Sequence, residues 1–516
     1  IEAQRTRRER QVGPLMTGHT RRAGVWIYVL ACLPLLSRVK SAHVAFLLPP
    51  GSPMGAMMPV VQGCVDAGHN VTLLAYDAYE AKLKDLIPSA GFVGLGVSWK
   101  PKVSERETEM VWSMPYFAMP ILVSILMSLG LDGLLGFPMA VASKPHLLSL
   151  QPNVICVTSI FASQYALGES LGIPVVGLAF GPQTWMSLAE MPWSLTPPYG
   201  SWYSLAETAQ SPMLVVRNAV VRFFAIPSRL AAVMMTNYYR FRLGLWRMQL
   251  SQFESMLENP LVVPTLPELT VGYPVLNSPE AVLAGMYDHP ALGGASLGKS
   301  EQHSEIISWL DKRLETNEQV LYVAFGSELV LSRRRIRTLI TAFKIAGSLV
   351  LWALKDPPDN LAPPPNVWIT AWSPQKAVLA HPAVVAFLSH GGQNSVREAL
   401  AAGVPMLIMP VMPDGATVAM IHEELGVALR VDKNALPESI ADRITLIAQN
   451  SYRQRAKVIK LLNDNNVNLR RAIEVIDNVA SKTFPERMQH RPSLLATSLP
   501  IGTLALLVLC CRACCQ

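Results

Sequence analysis

Charge is scarce in this chain and cysteine is nearly absent from its body. Of 516 residues, 16% are charged and 50% are hydrophobic, a balance that excludes intrinsic disorder and points to a globular protein with some membrane-directed sequence. Between Cys32 and the cluster Cys510, Cys511, Cys514 and Cys515 stand only Cys64 and Cys156. That excludes a disulfide-stapled scaffold and offers no zinc spacing, so no metal site is expected. The formal net charge of +7 is local too. Arg5, Arg7, Arg8, Arg10, Arg21, Arg22, Arg38 and Lys40, against Glu2 and Glu9, put +6 of it in the first 41 residues. A remainder that close to neutral, with no basic stripe interleaved with aromatics, excludes a nucleic-acid footprint.

Long apolar runs mark both ends. The chain opens on Ile1, and Met16 reads as an alternative start; Arg21-Arg22, the apolar residues 23–36 and Val39-Lys40-Ser41 then follow the n-region, h-region and cleavage-site order of a secretory signal peptide. An uncut N-terminal anchor is the alternative. Residues 493–511 carry no charge; nineteen residues at ~1.5 Å each cover roughly 28 Å, so a C-terminal transmembrane helix is expected. Pro500 and Gly502 leave a buried hairpin or a greasy tail open, and the cysteines beside Arg512 leave palmitoylation open. Residues 111–131 are also uncharged, but Pro115 and Pro120 interrupt them; they read as apolar helices of a binding domain that touch lipid without crossing it.

From residue 41 onward, β-rich runs (43–48, 71–75, 154–158, 175–179) alternate with helical segments (57–67 and one ending at 171). After a Gly-, Pro-, Ser- and Ala-rich stretch the alternation restarts, with strands at 320–325, 349–354, 367–371, 384–388, 405–409 and 427–431 and helices at 333–346 and 394–402. Such βαβ alternation predicts parallel sheets covered by helices, hence an α/β protein of two facing doubly wound, Rossmann-like domains with a ligand cleft at the carboxyl ends of the strands. Residues 183–265 are less regular and suit either a variable pocket or a helical cap. A helical stretch at 451–480 is placed to pack back across both domains.

The segment richest in chemistry runs from Trp372-Ser373-Pro374-Gln375, through His381-Pro382, Ser389-His390-Gly391-Gly392-Gln393-Asn394-Ser395 and Glu398, to Pro410 and Asp414. A buried strand entering a Gly-Gly turn and then a helix aims unsatisfied N–H groups and the positive helix end at an anion. Asn394, Ser395 and His390 add donors, and Glu398, one turn on, can accept from a diol. Trp372 offers an aromatic face, and Gln375 a donor and acceptor pair for a base edge. Together these describe a nucleotide-sugar site. Each has a plainer reading, as a turn, a core indole or a solvated glutamate, and their joint spacing is what favours the site.

Here the sequence resembles the UDP-glycosyltransferase family, whose signature runs W-x-P-Q, H-P, H-G-G-x-N-S-x-x-E, G-V-P, a Pro, and D-Q. Trp372 to Gly415 is the length of that signature; Phe325-Gly326-Ser327 resembles the family's F-G-S turn, and Gly68-His69-Asn70-Val71-Thr72 and Gly172-Ile173-Pro174 match more loosely. The resemblance implies a GT-B architecture with UDP-sugar as co-substrate and no cofactor. Trp372 would stack on uracil, Gln375 contact base or ribose, and Glu398 hold the ribose hydroxyls. Ser327, His390, Gly392, Asn394 and Ser395 would bind the diphosphate, and Asp414 the sugar. It further implies an N-terminal extension and signal peptide (1–41), an acceptor-binding domain (42–270), a linker (271–300), a UDP-sugar-binding domain (301–450), a C-terminal helix and stalk (451–492), a span (493–511) and a tail (512–516). That layout is similar to the membrane-bound glucuronosyltransferase-like branch, single-pass with its body in the lumen of the endoplasmic reticulum.

Three departures stand out. The family's catalytic His falls on Pro53, its orienting Asp on Thr158, and the signature's closing D-Q is Asp414-Gly415. A general base is worth roughly 10²- to 10⁴-fold, so nucleophilic acceptors such as amines, carboxylates or acidic phenols are favoured over plain alcohols. His43, Asp66 and Asp77 are candidate substitutes, each with a structural role as the stronger expectation. Two functions follow: an inverting transfer of a hexosyl or glucuronosyl group to a small lipophilic acceptor, or a UDP-sugar-binding protein acting as sensor or partner subunit, oligomeric or not.

Overall fold

The computed structural model describes residues 41–481 apart from 97–103, 117, 119, 121–131, 180–196, 199, 252–253, 266–280, 288–300, 327–328, 359–360, 362, 412 and 465–467. The signal peptide, the C-terminal span and most of the 111–131 stretch therefore lie outside the described residues.

Continuous apolar runs become fully buried strands, as a parallel sheet covered on both faces requires: Val154–Thr158 and Val384–Ser389 are buried at every position. The first sheet holds β1 (His43–Leu47), β2 (Asn70–Ala75), β3 (Gly91–Gly94), β4 (Val154–Thr158), β5 (Val175–Leu178), β6 (Leu261–Val263) and β7 (Ala281–Leu283). Its order is β3-β2-β1-β4-β5-β6-β7, all parallel. The second holds β8 (Val320–Ala324), β9 (Leu349–Ala353), β10 (Val367–Thr370), β11 (Val384–Ser389), β12 (Met406–Ile408) and β13 (Ala428–Arg430), in the order β10-β9-β8-β11-β12-β13, also all parallel. In each sheet the winding reverses between the first strand and the one beside it, β1 and β4 or β8 and β11, and the crevice at that switch point is where such sheets bind ligands. The expected doubly wound pair is present. β7 falls inside the segment read as linker, so the first sheet continues to Leu283.

Helix α1 (Ser52–Asp66) starts five residues before its expected first turn, because Pro53 sits where a helix needs no N–H. Helix α2 (Glu105–Ser113) is capped by a Ser104/Glu107 box. Its Trp112 is 1% exposed and joins the core of the second sheet beside Phe325, with its indole N–H donating to the Lys433 carbonyl at 2.7 Å. The first residues of the stretch expected to touch lipid are thus docked on protein. Helices α3 (Phe137–Leu150) and α4 (Ala162–Leu171) flank the first sheet.

The region read as irregular contains α5 (Pro212–Arg242), 31 residues long. Pro212 and Pro227 hid it from the sequence reading, although the first occupies the opening turn and only the second removes an internal hydrogen bond. Helices α6 (Gln375–Ala380), α7 (Gln393–Ala402) and α8 (Pro413–Glu424) surround the second switch point. The chain then returns: α9 (Asn450–Asp464) packs on α7, and α10 (Asn468–Ser481) packs on α1 and sends Ala472, Ile473 and Ile476 into the first sheet's core. Asp477 of α10 meets the His69 ring at 2.9 Å.

Candidate functional site

The turn between β11 and α7 lies beside the carboxyl end of β8, at the second sheet's switch point. Gly392 caps α7 without any side-chain hydrogen bond, and the first turn carries Gln393, Asn394 and Ser395 with no acid among them. The helix end therefore keeps backbone donors and a partial positive charge for an anion.

Above this turn the His390 ring is wedged between two glycines: a Cβ would come within 2.4 Å of it at Gly392 and 2.8 Å at Gly326. Burial pushes its pKa down to about 4, so the ring is neutral at physiological pH and offers one N–H. Its Nδ1 is buried with no hydrogen-bond partner among the described residues.

The side that carries Gln375 and Glu398 is held just as firmly. Gln375 opens α6, where its amide donates to Glu398 Oε2 at 2.8 Å and to Ser395 Oγ at 3.1 Å. Its carbonyl accepts from the Tyr322 hydroxyl at 3.3 Å, which also pairs with Ser373 at 2.8 Å. Sequence reasoning missed Tyr322 and Ser373, because a strand tyrosine and a turn serine carry no motif of their own. Trp372 stands at the rim, 40% exposed, its carbonyl held by Thr370 Oγ1. The Arg397 guanidinium approaches Asn394 Oδ1 at 3.4 Å, and Asn394 Nδ2 lies 3.7 Å from where a Gly55 Cβ would stand, so α1 of the first sheet closes on the cradle. Asp414 stands in the first turn of α8, and Ser327 lies outside the described residues.

Gly415 explains itself by contact. A Cβ there would sit 2.7 Å from the His390 carbonyl oxygen and 3.1 Å from Pro410 Cβ, so α8 packs on the cradle more closely than a glutamine would allow.

On the facing sheet, Pro53 lies in the first turn of α1 and Thr158 ends β4, beside β1. The two positions thus share the carboxyl edge, as the resemblance requires, without an acid or a base. Thr158 is fully buried and its hydroxyl has no partner among the described residues.

None of the proposed substitutes repairs this. His43 opens β1 at the sheet's amino end, where its ring meets Thr72 Oγ1 at 2.9 Å and burial lowers its pKa. Asp66 ends α1 at that same far edge and accepts from Gln62 at 2.7 Å. Asp77 follows β2 but is tied to the Gly96 N–H at 3.1 Å.

A carboxylate the sequence did not single out, Asp132, accepts from the Ser163 N–H at 3.0 Å and from its hydroxyl, at the start of α4 just beyond β4. Burial raises its pKa to about 6 against the pull of those hydrogen bonds.

Comparison with known proteins follows this geometry. The family model described as UDP-glucoronosyl and UDP-glucosyl transferase matches residues 253–473, from before β6 into α10. The chain is 34% identical over 178 residues to flavonol 3-O-glucosyltransferase UGT89B1 of Arabidopsis thaliana, covering 30% of this chain and 36% of that one. It is 31% identical over 199 residues to anthocyanidin 3-O-glucosyltransferase 2 of Manihot esculenta, covering 33% and 57%. The chain thus spans about a third to a little over half of the length of these relatives.

Among solved structures it resembles the glycotransferase of kitacinnamycin, with a TM-score of 0.59 at 18% identity over 85% of this chain and 99% of that one. Arabidopsis thaliana UGT89C1 follows with a TM-score of 0.57 at 19% identity, over 86% and 100%. At that identity the likeness shows the fold, two facing Rossmann-type sheets in the GT-B arrangement. The cradle and the Gln375–Glu398 pair thus fall within residues 253–473, the stretch that is similar to the UDP-glucoronosyl and UDP-glucosyl transferase family.

Proposed function

We propose that the protein is an inverting UDP-sugar-dependent glycosyltransferase that moves a hexosyl or glucuronosyl group to a small, lipophilic acceptor. The observation that carries this is the cradle: an uncapped helix end, a neutral His390 and a pre-bonded Gln375–Glu398 pair converge at one switch point. On this reading Trp372 stacks on uracil, Glu398 holds the ribose, and the α7 terminus with His390, Asn394 and Ser395 takes the diphosphate. The acceptor's lone pair forms the new bond to the anomeric carbon as the bond to UDP breaks, and the departing electron pair goes to the β-phosphate oxygen, where the helix end stabilises it.

With Pro53 and Thr158 at the family's acid–base positions, the acceptor supplies its own nucleophilicity. Amines and acidic phenols are thus favoured, and the proton passes to water. Placement in the membrane-bound branch, facing the lumen of the endoplasmic reticulum, belongs to this reading and is supported by the charge-free residues 493–511. A small-molecule acceptor is supported by the structurally similar UGT89C1, which is also known complexed with quercetin.

UDP release from UDP-glucose and UDP-glucuronic acid, measured with the full chain over amines, phenols and alcohols, tests this. Turnover should favour the first two classes and fall about 10- to 100-fold or more in Glu398→Ala, the loss expected when hydrogen bonds to a charged group disappear. Silence with every acceptor, from protein that still binds UDP, would leave the binding-protein reading in its place.

A further inference from the structure

Helix α5 is apolar on much of its exposed side. The side turned into the protein mixes Val221, Ala225, Ala232 and Tyr239 with Asn218, Arg222, Thr236 and Arg240, all buried, with Asn218 accepting from the Tyr203 hydroxyl at 2.6 Å and Arg240 paired to Glu169 at 2.7 Å. The side turned out carries Val216, Val220, Phe224, Met234 and Phe241, each between 48% and 72% exposed. A surface helix of a soluble domain carries charged and polar residues on that outward side. The outward stripe runs nearly the full 31 residues, about 45 Å at ~1.5 Å per residue. Beyond its end Trp246 is 80% exposed and meets Phe241 edge-on at 5.0 Å. Polar partners from the globular body grip α5 along its length, so it lies along the protein surface and does not leave it to cross a bilayer.

Charge decides what this face meets. No Asp or Glu occurs between Glu207 and Glu254, while that interval holds Arg217, Arg222, Arg229, Arg240, Arg242 and Arg247. Arg240 and Arg247 are engaged by Glu169, Glu254 and Glu258, whereas Arg242 is exposed beside the apolar stripe. A second copy of the same face would bring arginine against arginine. An anionic lipid surface supplies apolar depth for the stripe, headgroup charge for Arg242 and an interface for the indole.

We propose that α5 is a monotopic docking face, lying in the plane of an anionic bilayer and holding the body of the protein against it. This stands independently of the transferase reading.

The test uses the full chain and vesicles of phosphatidylcholine alone or with phosphatidylserine. Acyl chains brominated near the headgroup should quench the fluorescence component lost in Trp246→Phe, at least twofold more strongly with phosphatidylserine than without. The paired variant Phe224→Asp/Met234→Asp should abolish that quenching while leaving UDP affinity intact. Because the readout is local to residue 246, insertion through another segment cannot imitate it. The proposal fails if the component is not quenched, or if quenching survives the paired variant. It fails equally if the paired variant converts a dimer to a monomer without affecting quenching, or if α5 proves shielded by residues 482–516.

Discussion

Gln375 and Glu398 lie 23 positions apart in the sequence and 2.8 Å apart in the fold, and this pre-bonding is what turns a motif into a site. A carboxylate fixed before the ligand arrives loses less freedom on binding. Gly415 belongs at the same scale. Read as sequence, it is a missing donor-sugar contact; read in place, it is the only side chain size that lets α8 rest on the His390 carbonyl. Reinstating the family residue should therefore hurt. Gly415→Gln is expected to cost about 2 kcal/mol, the scale of forcing atoms into a packed contact, and to weaken UDP binding. Urea midpoints and titration with UDP check both, and a variant as stable as the parent with tighter binding would refute the packing argument. Neither the pre-bonding nor the contact could be read beforehand, because both depend on distances between segments that share no motif.

At the scale of elements, the strands were readable because parallel pairing buries both faces and leaves continuous apolar runs, as in Val154–Thr158 and Val384–Ser389. The turn into α7 was readable because glycine and small polar residues at a strand-to-helix junction have few other uses. Helix α5 was not, since Pro227 stands inside it and apolar residues line both its buried and its exposed sides, leaving no conventional amphipathic signal.

Asp132 was unreadable for a different reason: its partner Ser163 comes 31 residues later and only the fold joins them. It makes a pH-dependent prediction. The folded pKa of about 6 lies above the 3.8 of an unperturbed aspartate, so the native state holds the extra proton between those values and stability falls as pH rises from 4 to 6. Above that range the loss is constant, on the order of 3 kcal/mol. Asp132→Asn keeps an acceptor for the Ser163 N–H and removes the loss. Its stability advantage over the parent, from urea unfolding, should grow between pH 4 and pH 7 and then level off. A difference that does not change with pH would show that the carboxylate is not desolvated.

For the whole molecule, two doubly wound halves and a ligand crevice follow from βαβ alternation alone. The way the halves are fastened does not. Trp112, from the first half of the chain, is buried in the second sheet's core, and α10, from the end of the described chain, is buried in the first. Both are apolar stretches whose burial partners lie hundreds of residues away, which local patterning does not encode. Helix α1, on which α10 packs, is also the helix that approaches Asn394, so the cradle is bounded by both sheets.

Calorimetric titration of the full chain with UDP, UDP-glucose and UDP-glucuronic acid, repeated on Trp372→Ala, asks most directly whether that site holds a uridine nucleotide. Saturable binding is predicted, weakened about 5- to 100-fold in the variant, as losing a base–aromatic stack of ~1–3 kcal/mol requires. No saturable heat from folded protein, or equal affinity in parent and variant, would contradict it.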